Sequence, residues 1–534
     1  KRNGIGMKRK GIIILLTACA ALISGCENPE IDEIKYTRVP NIAVPVFHSD
    51  VDYNGIFRHL AKNRPHNDAK VSFDNDGFIY LIYDKDYTIS WDSVADINSI
   101  HWNTSQMYPT KKGLSITDSI RLNADPTQRF DTLVIAQATM TVRVAKQDIA
   151  GQGKISFSEL TKNGKPLEID WQIDEGVRST IDLEGYKILP KHAPGLSYMT
   201  VNVTIGGTEK SSVAISQLNM EMKMSDLLPK VIFGFFGTKY VFESPTSMEL
   251  SFFRSHDFPD EVQFTGAFIN LDVNNWTGTQ FDLKMEDKYL VNSNRDSLPI
   301  HILQDSALFI DQIDHTNYRT DGSYEPQHNY FTIDSTNSDV NAILSSDPNN
   351  YDYRLRILSN PHGETKQNFI TAETNLEAKV EMYVPFWLQI NNLTRHDTIE
   401  FDINNIILDA DNADYIDSIV LHFDFNNGFP LTLWSQAYLV DESYAVVDSL
   451  FDRNETMWES PEFDDNLRVS RWTETEKRTT MESEKIRHCS ERNVKKIILE
   501  TGMSTIDKPN RYYKFYKEYG LTMDFSFEMF GRKK

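Results

Sequence analysis

Apolar and polar side chains alternate with a period of two in segment after segment, and no long helical period competes with them. Met140-Thr-Val-Arg-Val-Ala-Lys146 alternates, as do Tyr198–Ile205, Ser212–Met224 and Leu376–Ile390. Successive side chains of a strand point to opposite faces, so this pattern builds sheets with one face buried. After Lys230, Val231-Ile-Phe-Gly-Phe-Phe-Gly237 is an apolar run broken by two glycines, which predicts a buried strand with a bend. The expected fold class is therefore mainly β: tandem β-sandwich, immunoglobulin-like domains after a small α+β unit. A chain of 534 residues that is 40% hydrophobic and 11% aromatic has the material for several cores.

An internal echo supports the tandem reading. Ile269–Met285 reads strand, Asn275-x-x-Gly278, strand; Ser418–Trp434 reads strand, Asn427-x-x-Pro430, strand. Asparagine accepts a turn that its own side chain bonds, and Gly or Pro fixes the corner, so both phrases read as hairpins of related sandwiches. The boundaries that follow are 41–130 for the α+β unit, 131–375 for a central sandwich region with long loops, and 376–534 for a C-terminal sandwich. Within the first, Asp74-Asn-Asp-Gly77 between apolar runs predicts a hairpin. Within the last, 452–480 is charged and aliphatic-poor and reads as an exposed insertion. Thr479-Thr-Met-Glu482 has the form of a capping box for a helix to about Arg492.

The start of the chain has another grammar. Lys8-Arg-Lys10 precedes an apolar run, Gly11–Leu22, that is short for a permanent span. It ends in Ile23-Ser-Gly-Cys26, which resembles the lipobox of bacterial lipoproteins. That resemblance implies a signal peptide over 1–25 and acylation of Cys26. Three acyl chains hold far more firmly than one. Glu27-Asn-Pro-Glu-Ile-Asp-Glu33 opens an acidic tether over 26–40, and such residues resemble a surface-export signal of Bacteroidota. The expected location is the outer membrane, lipid-anchored, leaning to the cell surface with the periplasmic face left open.

Residues 1–25 carry five cationic side chains and no anionic one, so the remaining body is five charges more negative than the whole chain's −22. Such a body opposes nucleic acid and anionic headgroups. Cys19 leaves with the signal peptide and Cys26 takes lipid. Cys489 is left alone, and no internal disulfide can form.

Ala43-Val-Pro45, Ser225–Gly237, Val384-Pro385 and the Asn427-x-x-Pro430 phrase resemble a broad group of uncharacterised outer-membrane lipoproteins of Bacteroidota. The last phrase is also distantly similar to the hairpin of the late-embryogenesis-abundant type 2 sandwich. The resemblance implies fold and address but no activity. Asp followed by Ser or Thr and a small or aliphatic residue resembles the O-glycosylation sequon of Bacteroidota exported proteins. It would place sugar on Ser93, Ser119, Thr132, Ser297, Ser306, Thr398, Ser418 and Ser449, although Asp-Ser before an aliphatic also opens many strands.

Catalytic grammar is sparse. No G-x-S-x-G, H-E-x-x-H, P-loop or G-x-G-x-x-G occurs, and no cofactor is expected. Asp409-Ala-Asp411-Asn-Ala-Asp414 is the best metal candidate, against the simpler reading of a solvated loop, since the EF-hand glycine is missing. Trp276, Trp458 and Trp472 are candidate ligand contacts, while Trp387 and Trp434, on alternating strands, read as core. The functional expectation is a non-catalytic lipoprotein acting as a binding or scaffold subunit, accessory to an outer-membrane assembly or transport complex. A surface glycan-capturing protein and a hydrolase with unrecognised carboxylates are the rivals.

Overall fold

The computed structural model describes residues 42–52, 70–97, 100–108, 114–147, 151–206, 215–250, 262–292, 294–302, 309–346, 348–407, 410–451, 455–505 and 511–531. The expected signal peptide over 1–25, Cys26 and the expected tether over 26–40 lie outside them. The alternating segments form antiparallel sheets, and the fold is mainly β, as expected. Three sandwiches follow one another along the chain, one more than the echo had suggested.

In the third sandwich, Ile416–Asn427 and Leu431–Val440 are consecutive, yet they belong to different sheets. The first pairs with Thr473–Glu482 and Gly520–Gly531; the second pairs with Lys496–Thr505 and Val446–Ser449. The second sandwich repeats this wiring. Phe268–Asn275 pairs with Gln327–Ile333 and Asn375–Pro385, whereas Phe281–Asn292 pairs with Pro348–Ser359 and, at its end, Ser297–Pro299. The echoed phrases are thus equivalent but are not hairpins: each carries the chain across the sandwich from one sheet to the other.

The crossing is possible because a fully buried asparagine satisfies the main chain there. Asn275 Oδ1 accepts from the Thr277 N–H at 2.9 Å, and its amide donates to the carbonyls of Thr279 (2.8 Å) and Asp314 (2.9 Å). Asn427 does the same with the Phe429 N–H (2.9 Å) and the carbonyls of Leu431 (2.8 Å) and Glu459 (2.9 Å). Unpaired buried backbone groups are costly, and here one side chain meets three of them.

The first sandwich is one continuous eleven-stranded sheet, and within it Asn123-Ala-Asp-Pro126 turns the chain from Leu114–Arg121 to Arg129–Val144, so the asparagines stand at 123, 275 and 427, 152 residues apart each time. Asn123 is also fully buried. It donates to the carbonyls of Gln128 (3.1 Å) and Gly195 (3.3 Å) and accepts from the Ser197 N–H at 2.8 Å.

The strands of the expected 41–130 unit pair with later segments of the chain. Strands β1 (Ile42–Asp52), β2 (Lys70–Phe73), β3 (Ile79–Ser90), β4 (His101–Tyr108) and β5 (Leu114–Arg121) are dealt out among all three sandwiches. β1 pairs with Gly520–Gly531 in the third, and the β2–β3 hairpin adds to Asn375–Pro385 in the second. β4 and β5 pair with Ile215–Phe235 and Leu196–Ile205 in the first, where β6 (Arg129–Val144) follows the Asn123 turn. Apolar alternation shows that a segment is a strand but not which sheet receives it. For the same reason Asn375–Pro385, read as opening the last domain, closes the second sandwich.

The supposed insertion 452–480 also gives way to sheet. Thr473–Glu482 pairs residue by residue with Ile416–Asn427, so the capping-box tetrad is strand and the helix spans Ser483–Glu491. The Asp74–Gly77 turn forms as expected, with Gly77 at φ +85°, a left-handed conformation that glycine adopts without strain.

Candidate functional site

The junctions between sandwiches hold the distinctive chemistry. Between the first and second, Ile232–Gly234 pairs with Asn368–Ile370. Buried amides fill in around that ladder. Gln128 donates to the carbonyls of Val94 (3.0 Å) and Phe236 (2.9 Å), Asn368 Oδ1 accepts from the Phe236 N–H (3.2 Å), and Asn360 donates to Gly237 (3.0 Å) and to Asn368 (2.9 Å). At the rim, Arg129 grips Asp131 (2.8 Å) and Glu364 (2.6 Å). Burial pushes the Asp131 carboxyl up, but hydrogen bonds from Arg129 and Gln367 outweigh it and hold the group below the usual carboxylate range. Between the second and third, three main-chain bonds close a triangle: Ile79 N–H to Phe515 O (3.2 Å), Phe515 N–H to Phe386 O (2.8 Å), and Phe386 N–H to Ile79 O (2.9 Å).

A cavity of about 220 Å³ opens beside the first of these junctions. One wall is the single helical turn α1 (Trp91–Val94), which β3 of the second sandwich runs into. Asp96 follows, its N–H held by Gln128 Oε1 at 3.1 Å. The other wall comes from the first sandwich, where Ile215–Phe235 breaks register against β6 between Ser225 and Val231. That bulge puts Asp226 at φ +56° and brings Asp226 and Leu227 to the cavity. Trp91 is half-buried and Asp92, Asp96 and Asp226 are exposed. Asp92 accepts from Ser90 Oγ and Asp226 from Ser225 Oγ (3.0 Å), and none of the three is in an ion pair among the described residues.

The residues singled out from sequence do not gather at this cavity, with Ser93 on α1 the nearest exception. Ser93, Ser119, Ser297 and Thr398 are exposed, while Thr132, Ser418 and Ser449 are half-buried. Ser449 Oγ donates to the Phe451 carbonyl at 2.8 Å, and Ser306 lies outside the described residues. Asp118 and Asp448 each accept the N–H of the serine that follows them, at 2.7 Å, the strand-opening geometry weighed against a sequon.

Trp458 is 3% exposed and packs edge-on against Phe425, so it is core and is withdrawn as a contact residue. Trp276 is half-buried at the Asn275 crossing. Trp472, also half-buried, covers Gly428 of the Asn427 crossing so closely that a Cβ there would fall 2.3 Å from the indole. Trp434 lies half-buried over Gly502 and donates to Asn392 at 3.0 Å. Asp409 lies outside the described residues, and Asp414 faces Arg487 at 3.6 Å. No cluster of three metal-type ligands occurs among the described residues. Cys489 is fully buried, and desolvation pushes its thiol up to about 12. Sequence reading missed Gln128, Asn360 and Asn368. The Ser225–Gly237 phrase was its one signal for this region.

No family model and no curated protein matches the chain. Among solved structures, it is similar to a protein of Parabacteroides distasonis provisionally labelled as secreted, at 10% identity over 92% of this chain and 100% of that one, with a TM-score of 0.27. It is also similar to the VP2 subviral particle of infectious bursal disease virus, at 9% identity over 88% and 83%, with a TM-score of 0.12. Neither likeness is close enough to carry an argument about function.

Proposed function

We propose that this protein is a lipid-anchored, non-catalytic binding or scaffold subunit of the outer membrane, with its body leaning to the cell surface. Cys26 supplies the anchor by its lipobox-like setting. The observation that carries the scaffold reading is the way the sandwiches are joined. Each junction is bonded by main chain from several segments rather than by one linker, and the N-terminal chain adds a strand to every sandwich in turn. Such an array holds surfaces at fixed spacing, which is what a scaffold needs. In order of connection, the chain leaving the anchor enters the third sandwich first, then the second, then the first.

The buried, desolvated Cys489 thiol fits a structural rather than nucleophilic role. The test is affinity capture of the tagged protein from its own membranes. Recovery of a stable membrane-protein partner in a fixed ratio is the expected result. Recovery of the protein alone from gently solubilised membranes contradicts the scaffold role. Intact mass from the same preparation reports acylation and any sugar on the candidate serines and threonines.

A further inference from the structure

We infer that the cavity between α1 and the Ser225–Val231 bulge is a binding site for one pyranose ring, neutral or amine-bearing. Size is the first argument. At about 220 Å³ it lies below the roughly 300 Å³ at which pockets for drug-sized ligands begin, so it takes one ring and not several. Position is the second, because clefts between packed units are where small ligands most often bind.

The lining is the third. Trp91, Ile97 and Leu227 supply apolar surface, and the half-buried indole is an aromatic wall against which the C–H face of a sugar can lie. Asp92, Asp96 and Asp226 supply acceptors for ring hydroxyls, and a carboxylate bonded to a hydroxyl makes a charge-assisted hydrogen bond. A wholly apolar ligand would strip water from these carboxylates and give nothing back. An acidic sugar or a phosphate would meet three carboxylates in a lining that holds no Lys, Arg or His. A pyranose without acid groups has both features the lining asks for: an apolar face and a rim of hydroxyl donors. The inference does not rest on the scaffold reading, and failure to recover a partner leaves it standing.

Saturation-transfer NMR tests it with five probes: methyl α-mannopyranoside, methyl β-galactopyranoside, glucosamine, glucuronate and ethylamine. A single ring in a small site binds at millimolar strength, so the expected result is saturable transfer to at least one neutral or amine-bearing sugar below about 50 mM. Glucuronate should show none. Trp91→Ala should weaken binding at least about tenfold. Asp96→Asn, which changes charge but hardly volume, should weaken it while the protein's thermal midpoint stays put, so the inference remains testable if the tryptophan variant misfolds. No saturable signal from any of the three sugars overturns the inference, as does equal binding of glucuronate or undiminished binding by the Trp91→Ala protein. Ethylamine competing as well as glucosamine also overturns it, because the site would then be read as one for amines.

Discussion

The asparagines at 123, 275 and 427 show how one side chain fixes a topology. Asn275 and Asn427 sit where the chain leaves one sheet for the other, Asn123 where it turns within the continuous first sheet, and each is fully buried. Asn427→Ala leaves the Phe429 N–H and the carbonyls of Leu431 and Glu459 without their partner, and should cost about 3 kcal/mol in a urea unfolding series. Asn427→Asp is the sharper change. Its carboxylate would face two carbonyls, so its folded pKa must rise above the unfolded value near 4. A raised carboxyl pKa makes the variant's stability fall as pH rises, so its urea midpoint should drop from pH 4.5 to pH 8 relative to the parent. Gly502 carries a second residue-scale device, since a Cβ there would fall 2.2 Å from Trp434. Gly502→Ala should destabilise by about 1–3 kcal/mol, and the Gly502→Ala, Trp434→Ala double variant by less than the sum of the single ones. The Asn-x-x-Gly and Asn-x-x-Pro phrases were legible as turns. Their crossing role was not, because a turn residue's backbone preference is the same whether its flanking strands pair with each other or part.

At the scale of elements, strands were visible wherever one face is buried, and pairing was not. Thr473–Glu482 shows why: Thr-Glu-Thr-Glu-Lys-Arg-Thr-Thr has almost no apolar signal, yet it is a ten-residue ladder partner of Ile416–Asn427. A strand that leaves half of its side chains to solvent and buries only two hides its identity in backbone hydrogen bonds. β1 is likewise an edge strand whose partner lies at the other end of the chain. Deleting residues 27–52 should raise amide exchange along Gly520–Gly531 and leave β6 and Ile215–Phe235 protected, as hydrogen-exchange mass spectrometry can read. At the first junction, Asp131 is held below its ordinary pKa, so its contribution is present above the unfolded value near 4 and is lost as pH falls through the native one. The Asp131→Asn variant should therefore lose less stability than the parent on acidification from about pH 5 to pH 2.

For the whole molecule, two equivalent crossings and a leading segment that serves every sandwich make one interlocked body out of what reads, in sequence, as a string of domains. The mainly β class and the tandem plan were legible from periodicity and the echo. The threading was not, because it depends on contacts between residues some 480 apart, such as His48 beside Asp524 at 2.6 Å. The Trp91 cavity was equally hidden, since its two walls come from different sandwiches and only packing brings them together. That same pair offers the most direct test of the architecture. His48 and Asp524 face each other across the β1 ladder, at a separation a disulfide can span. A protein carrying His48→Cys and Asp524→Cys should form an intramolecular disulfide under mild oxidation, with a shifted mobility that reductant reverses and dilution does not change. If those cysteines stay free, or join only between molecules, the leading strand does not close the last sandwich and the interlocked account is wrong.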